Sequence, residues 1–216
     1  MFVRDLMSRN PVTITADINV QDALNLMKAK SIRRLPVLGK DGRIAGIVSE
    51  KDLLYASPSP VTSLNVYEVK EMLHLLTVGK VMTREVITID QDAPLEDAAV
   101  LMGARKISGL PATQGGSLAG IITETDLFKA FLNLLGGTRR GVRMTVVVPG
   151  AKGVMAKVSN AIFSCGGDIV GLGLNEIEAG GKGRWEVVFK IQGAGKEKLL
   201  EAVRPVVEDV VDLREL

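Results

Sequence analysis

The chain has 216 residues, 46% of them hydrophobic and 24% charged, as expected for a globular protein of two or three compact units. Its 27 basic and 25 acidic residues nearly cancel, so charge does not predict nucleic acid or a membrane as a partner. The single cysteine excludes an internal disulfide, and one cysteine with one histidine excludes a Cys/His zinc site. Because there is only one histidine, a catalytic Ser-His-Asp site has little support. The start has no secretory pattern and no apolar run approaches the roughly 18 to 20 residues of a membrane span, so we expect a cytoplasmic location.

The first 130 residues contain one segment twice. Residues 3–56 align with residues 78–130 with a single gap, and about twenty positions are identical. Each copy predicts the order strand, helix, strand, strand, helix. Because one amphipathic helix on a small sheet leaves apolar surface exposed, we expect the copies to pack together with approximate twofold symmetry. The seam between them would form a cleft.

The predicted elements of the two copies correspond in chain order. Each begins with a short strand, Val12–Thr15 and Val86–Asp90. A helix follows, with its apolar face at Val20, Ala23, Leu24 and Met27 and then at Leu95, Ala98, Ala99 and Met102. Two strands come next, Leu35–Leu38 and Arg43–Val48 in the first copy, with turns predicted at Asp41-Gly42 and at Gly115-Gly116. The second helix of each copy opens at Ser49 or Thr123.

We divide the chain into repeat one (1–57), a linker (58–77), repeat two (78–135), a glycine-rich linker (136–141) and a C-terminal domain (142–216). The first linker predicts a helix at Leu64–Leu76. The C-terminal domain predicts strand, helix, strand, strand, helix, strand, which is the ferredoxin-like order. Its predicted strands are Val142–Val148, Asp168–Ile177, Arg184–Gln192 and Val206–Leu213. The overall fold class is therefore α+β.

The segments "GIVSEKD" (46–52) and "GIITETD" (120–126) place a hydroxyl three residues before an aspartate. Ser49 and Thr123 suit the N-cap of a helix, with Asp52 and Asp126 closing a capping box. Alternatively, the hydroxyl and the free N–H groups of the helix start suit a phosphate, and the carboxylate can accept both hydroxyls of a ribose. Both interpretations stay open.

This double motif, each time after a Leu-Pro pair, resembles a tandem pair of CBS domains over roughly residues 1–135. The resemblance implies regulatory adenosine ligands (AMP, ADP, ATP or S-adenosylmethionine) in clefts between the repeats and no obligatory cofactor. It implies that Ser49 and Thr123 lie near phosphate and ribose, and that Asp52 and Asp126 bind the ribose hydroxyls. It assigns the remaining nucleotide-binding positions to Val12, Arg33, Arg34, Pro36, Ile87, Ser108, Gly109 and Pro111. At equivalent positions the first copy has Arg33 and Arg34, which offer positive charge. The second copy has Ser108 and Gly109, whose small size leaves space.

Residues 142–216 resemble an ACT domain, with Gly153 as the turn glycine and Val154 opening the helix. The resemblance implies an amino-acid site at Gly153 and Val154, but the usual Asp-x-Pro-Gly is replaced by "GAKG" (150–153), so dimerisation alone stays an equal alternative. The order CBS, CBS, ACT resembles acetoin-utilisation CBS-ACT regulatory proteins. We therefore expect a homodimeric, non-catalytic sensor, whose downstream protein partner the sequence does not identify.

Other functional classes have weaker support. "GAKG" resembles the GXXG loop of nucleic-acid-binding KH domains, but it follows a predicted strand, and residues 141–216 have ten basic and ten acidic residues. "GLGLNE" (171–176) lacks the third glycine of a dinucleotide fingerprint, and there is no phosphate-binding P-loop, so we expect no enzyme. A scaffold with empty pockets remains the main alternative.

Overall fold

The computed structural model describes residues 1–56, 75–177 and 183–216. The chain divides into two compact units, residues 1–127 and 128–216, and the division falls inside one helix. The predicted helix at Leu64–Leu76 lies almost entirely outside the described residues, as do His74 and most of the turn at 178–183.

The first copy of the repeat contains three helices and three strands. They are α1 (Val3–Leu6), β1 (Ser8–Arg9), α2 (Val20–Lys30), β2 (Arg34–Leu38), β3 (Ile44–Ser49) and α3 (Glu50–Ala56). Helix α2 is capped by Asn19, whose side chain accepts a hydrogen bond from the N–H of Asp22. Strands β2 and β3 form the predicted hairpin, with Gly42 at a φ of 76° in its turn.

The second copy repeats the helix, strand, strand, helix part of this order. Its elements are β4 (Ile89–Asp90), α4 (Leu95–Arg105), β5 (Gly109–Gln114), β6 (Ser117–Thr123) and α5 (Glu124–Leu134). The turn between β5 and β6 is the predicted one, because Gly115 and Gly116 both have positive φ, 56° and 83°. Both values suit a type I′ hairpin, which favours glycine.

The predicted first strand of each copy is too long, and a proline explains why. Ile14 donates to the carbonyl of Pro36 (3.1 Å) and accepts from the N–H of Leu38 (2.8 Å), as in a parallel ladder. The preceding rung would need an N–H at Pro36 to bond the carbonyl of Val12, and proline has none. Val12–Thr15 is therefore reduced to one bridge, at Ile14. In the second copy Pro111 stands at the equivalent place, and only Ile89–Asp90 forms a strand.

The opening residues of each copy pair with the sheet of the other copy, which the sequence did not predict. Strand β1 pairs antiparallel with β6, and the sheet order is β1-β6-β5-β4. The symmetry-related pairing also forms: Thr83 of the second copy exchanges two backbone hydrogen bonds of 2.9 Å with Ile47 of β3 in the first copy.

Two glycines allow this close approach. A Cβ on Gly120 would lie 2.5 Å from the sulfur of Met7, and a Cβ on Gly46 would lie 2.5 Å from the sulfur of Met82. The glycine of each "AGI" segment therefore makes room for the methionine of the other copy. Met82 and Val78 accordingly belong to the buried core of the first copy, together with Val20, Ala23 and Met27 of α2. On α4, Leu95, Ala98 and Met102 are buried as predicted, but Ala99 is exposed, so the apolar stripe is narrower than predicted.

The second unit contains a four-stranded antiparallel sheet. Its elements are β7 (Val142–Pro149), α6 (Val154–Ser164), β8 (Asp168–Ile177), β9 (Arg184–Gln192), α7 (Lys196–Val203) and β10 (Asp209–Glu215), with sheet order β10-β7-β9-β8. This is the predicted order of elements. The last strand begins later than predicted, because Arg204–Val206, which contains Pro205, form a 3-10 turn. One face of the sheet buries Met144, Phe189 and Ile191 against helix residues Ile162 and Leu199.

The "GLGLNE" segment lies in β8 and has a packing role. A Cβ on Gly171 would lie 2.4 Å from the backbone of Leu135, and a Cβ on Gly173 would lie 2.8 Å from the Leu135 side chain. Residue Leu135, just after α5, thus packs directly on the backbone of β8.

Candidate functional site

The first Ser/Thr-x-x-Asp motif forms a reciprocal capping box at the start of its helix, and the second forms the carboxylate half of one. The carboxylate of Asp52 accepts from the backbone N–H of Ser49 (2.8 Å) and from its hydroxyl (2.6 Å), and the Ser49 oxygen accepts from the N–H of Asp52 (3.2 Å). In the second copy Asp126 accepts from the N–H (2.9 Å) and hydroxyl (2.7 Å) of Thr123. The capping interpretation is therefore correct for Ser49 and Asp52, and in the second copy the Asp126 carboxylate makes the equivalent hydrogen bonds.

The two copies enclose a cavity of about 700 Å³. The first copy contributes Val12, the segment 31–34 that precedes and opens β2, and Ser49 to its lining. The second copy contributes Ser108, Thr123 and Asp126. The site thus combines the apolar and basic residues of one repeat with the hydroxyl and carboxylate of the other.

The structure brings together only some of the predicted positions. Seven of them line this cavity: Val12, Arg33, Arg34, Ser49, Ser108, Thr123 and Asp126. Five are not among its lining residues: Pro36, Asp52, Ile87, Gly109 and Pro111. Of these, Pro36 and Pro111 are buried in β2 and β5, where they pair with Ile47 and Ile121.

Several lining residues were not predicted. Ser8, Arg9 and Asn10 reach the cavity because β1 crosses to the sheet of the second copy. A signal for them exists in the repeat alignment, which begins at residue 3 and matches Met7 and Arg9 to Met82 and Arg84. Ser31 and Ile32 follow the end of α2, and Glu50, Lys51, Glu124 and Thr125 follow the capping hydroxyls.

Arg34 makes a hydrogen bond from the first copy to the second. Its guanidinium donates to the hydroxyl of Ser108. Its Cδ and Nε lie 3.1 and 3.2 Å from the position that a Cβ on Gly109 would occupy. Burial lowers the pKa of Arg34, the neighbouring charge of Arg33 lowers it further, and the charges of Glu124 and Asp52 act in the opposite direction. The guanidinium therefore fills the room that Gly109 leaves.

The polar lining has mixed charge. The lining includes the basic residues Arg9, Arg33, Arg34 and Lys51 and the acidic residues Glu50, Glu124 and Asp126. A basic cluster beside carboxylates at helix starts can bind an anionic group and a hydroxyl-bearing group at the same time. Among the described residues no group of three or more His, Cys, Asp or Glu side chains could hold a metal ion.

In the second unit, Gly153 adopts a φ of 81° directly before α6, and Val154 is the first, half-buried residue of that helix. The loop 150–153 joins strand β7 to α6, as predicted, whereas the KH loop joins two helices. No helix in the described part of the chain is long and apolar enough to cross a membrane.

Comparison with protein families identifies the CBS domain. The family model for the CBS domain matches residues 3–59 and 78–133. A CBS domain-containing protein of Dictyostelium discoideum is 35% identical over 136 residues, which are 62% of this chain and 94% of that protein. An inosine-5'-monophosphate dehydrogenase of Nitrosopumilus maritimus is 27% identical over 76% of this chain, but the match spans only 32% of the enzyme.

Solved structures with the same fold include ligand complexes. The CBS domain pair of protein MJ0100, in complex with 5-methylthioadenosine and S-adenosyl-L-methionine, is 26% identical with a TM-score of 0.52 and covers 64% of this chain and 98% of its own. CBSX2 in complex with AMP is 28% identical with a TM-score of 0.51 over 61% of this chain and 96% of its own. A Vibrio cholerae protein assigned to acetoin utilization (AcuB) is 31% identical, with a TM-score of 0.52. The match covers 64% of this chain and 95% of the Vibrio cholerae chain.

Proposed function

Because the chain belongs to the CBS domain family, with two copies of the domain at residues 3–59 and 78–133, we propose that it is a non-catalytic regulatory protein that binds an adenosine-containing ligand between these copies. The observation that supports this proposal is the cavity, whose lining combines Thr123 and Asp126 with Val12, Arg33 and Arg34. Its volume, about 700 Å³, lies within the roughly 300 to 1,000 Å³ of small-molecule sites.

Each part of the ligand has a suitable partner in this cavity. Val12 and Ile32 offer an apolar surface for the flat base, and Arg33 and Arg34 offer positive charge for a phosphate or carboxylate. We assign to Asp126, which lines the cavity, the role of accepting hydrogen bonds from the ribose hydroxyls. An ionised carboxylate has about four lone-pair sites, so Asp126 can cap its helix and bind a ribose together. The complexes of MJ0100 and CBSX2 support an adenosine ligand without selecting which one.

A regulatory role fits the relatives better than catalysis. The matched region is only a third of the Nitrosopumilus maritimus dehydrogenase, while it is nearly the whole of the Dictyostelium discoideum protein. A CBS pair can therefore stand alone or accompany an enzyme. In either setting a ligand can change the pair only by binding two of its arrangements with unequal affinity.

We further propose that residues 142–216 form an ACT-like domain that dimerises the protein or senses an amino acid. Two observations support this proposal: the strand order β10-β7-β9-β8 and the positive φ of Gly153 at the start of α6. Strand β8 is a ten-residue edge strand with Leu172 and Leu174 exposed by 41% and 49%. An edge of this length needs a partner or a cover. The cytoplasmic location and the partner that receives the signal stay predictions.

Isothermal titration calorimetry of the full chain tests the proposal. AMP, ATP and S-adenosylmethionine are titrated separately, with GMP as the matched control. We expect saturable binding of at least one adenosine compound and at least tenfold weaker binding of GMP. Absence of binding for the whole panel would favour the scaffold with empty pockets.

A further inference from the structure

We propose that Arg34 determines which adenosine compounds the cavity binds, and that it selects adenosine 5'-phosphates over neutral and cationic adenosine compounds. This inference rests on the proposed function and names the ligand class that the site accepts. It depends on the burial and on the partners of the charged residues in the lining.

Two charged residues of the lining are half-buried, Arg34 and Asp126. The other charged lining residues are exposed: Arg9, Arg33, Glu50, Lys51 and Glu124. Exposed charges interact weakly with a partner because water and salt screen them. The two half-buried charges should therefore contribute most to the choice between ligands of different charge.

Of these two residues, Arg34 lacks a partner of opposite charge. Asp126 accepts hydrogen bonds from the N–H and the hydroxyl of Thr123, whereas the Arg34 guanidinium donates to the neutral hydroxyl of Ser108. The ion pairs of the described residues are made by other arginines: Arg4, Arg143, Arg184 and Arg214. Since a guanidinium has five N–H donors, Arg34 retains donors for an anionic ligand.

The electrostatic environment of Arg34 also favours an added anion. Burial lowers the pKa of Arg34, and the charge of Arg33 lowers it further. The charges of Glu124 and Asp52 act in the opposite direction, but the pKa stays below its usual value. The nearby acids therefore do not fully compensate the positive charge. An anion bound beside Arg34 would stabilise this charge, and a second cation would destabilise it.

The candidate ligands share the base and the ribose and differ in the charge of the 5' substituent. AMP, ADP and ATP carry anionic phosphates, adenosine carries a neutral hydroxyl, and S-adenosylmethionine carries a cationic sulfonium. Arginine binds phosphate through parallel N–H donors, and such charge-assisted bonds are stronger than neutral ones. Arg34 should therefore distinguish these compounds, while their contacts through base and ribose stay the same.

Isothermal titration calorimetry of the full chain with AMP, adenosine and S-adenosylmethionine tests the inference. The wild type should bind AMP at least about tenfold more tightly than either of the other compounds, because a charge-assisted hydrogen bond contributes that much affinity. Arg34→Gln should reduce the preference for AMP over adenosine to about threefold or less and leave adenosine affinity within about threefold of the wild type. Arg43→Gln makes the same charge change at an exposed position outside the cavity lining, and this control should keep the wild-type preference.

Three results would overturn the inference and leave the proposed function intact. The first is a wild type that binds adenosine or S-adenosylmethionine as tightly as AMP. The second is an Arg34→Gln variant that keeps the preference for AMP. The third is an equal loss of AMP and adenosine affinity in that variant, which would show that Arg34 only supports the shape of the cavity.

Circular dichroism melts establish whether Arg34→Gln is folded. If this variant unfolds, the comparison of the three compounds on the wild type still decides the ligand class. A wild type that binds neither AMP nor adenosine would overturn the proposed function itself.

Discussion

At the scale of single residues, Asp52 and Asp126 have a structural role that does not require a ligand. Each carboxylate binds both the N–H and the hydroxyl of the residue three positions earlier. Capping was one of the two interpretations of the sequence, and it was accessible because a capping box is local and depends only on residue type and spacing. Whether either aspartate also binds a ribose depends on what faces it, and that is set by residues from the other copy.

Loss of the capping hydroxyl should lower stability without a ligand. Ser49→Ala removes the acceptor for the N–H of Asp52 and a donor to its carboxylate, so we expect the free energy of unfolding to fall by about 1 kcal/mol. Urea denaturation measures this change. Ser117→Ala, at an exposed position at the start of β6, is the control and should stay within about 0.5 kcal/mol of the wild type. Equal stability of the two variants would contradict the capping role.

Gly46 and Gly120, which pack against methionine side chains, should not tolerate substitution by a larger residue. Gly46→Ala and Gly120→Ala would place a methyl group 2.5 Å from a methionine sulfur and about 3 Å from the backbone carbonyls of Thr83 and Ser8. Overpacking of this kind costs about 1 to 3 kcal/mol, so both variants should unfold at lower urea. Gly103→Ala in α4 is the matched control: its Cβ meets nothing within 4 Å, and we expect a gain of up to about 1 kcal/mol. Unchanged stability of Gly46→Ala would show that the sheets do not cross in this way.

At the scale of elements, the sequence predicted the order of helices and strands but not all of the pairing. Hydrophobic periodicity and glycine turns are local, and they located α2, α4 and both hairpins. The pairing of β1 with β6 joins residues near the start of the chain to the second copy, and no local pattern encodes it. The shortened first strands were predictable in principle, since Pro36 and Pro111 each remove the donor of one rung.

The acid Asp212 should make strand β10 sensitive to low pH. Its carboxylate bonds Arg214 and Arg143 of the neighbouring β7, and the hydrogen bond from Arg214 holds the pKa of Asp212 below its usual value. Because the pKa of Asp212 is lower in the folded chain, ionised Asp212 stabilises the fold at pH values above the pKa of the unfolded chain, about 3.9. This stabilisation is lost as the pH falls further.

Asp212→Asn should therefore melt below the wild type at pH 7, and the difference should shrink as pH falls below about 4. Thermal melts from pH 3 to 8 measure it. Asp209→Asn on the same strand is the control for loss of one negative charge. A difference that stays constant across this range would contradict the role of the Asp212 ion pairs.

The exposed edge of β8 should form the interface of the proposed dimer. Leu172→Lys with Leu174→Lys places two charges on that strand, and like charges meeting across paired edges oppose association. We expect a dimeric wild type and a monomeric double variant in sedimentation velocity. Phe163→Lys on α6, 79% exposed in the wild type, is the control and should remain dimeric. A double variant as dimeric as the wild type would place the interface elsewhere.

At the scale of the whole molecule, duplication predicted the CBS pair and the cleft at its seam. The sequence grouped the site residues copy by copy, whereas the cavity joins Val12 and Arg34 of the first copy to Thr123 and Asp126 of the second. This exchange follows from packing between the copies and is invisible in either copy alone. The second unit has the predicted element order, but that order does not identify a ligand.

A ligand in the cavity would contact both copies and could report their arrangement. Coupling of this kind is typically about 1 to 3 kcal/mol, which is enough for a regulatory switch. The central claim is therefore that the ribose hydroxyls bind Asp126.

A binding cycle between ligand and protein tests that claim most directly, because the ligand can lose its hydroxyls while the capping box stays intact. AMP and 2',3'-dideoxy-AMP are titrated into the wild type and into Asp126→Ala by calorimetry. A charge-assisted hydrogen bond is worth roughly 1.5 to 3 kcal/mol, so the wild type should prefer AMP by about 10- to 150-fold. Asp126→Ala should bind both compounds about equally. A wild type that binds both equally, or a preference for AMP that persists in Asp126→Ala, would contradict the claim.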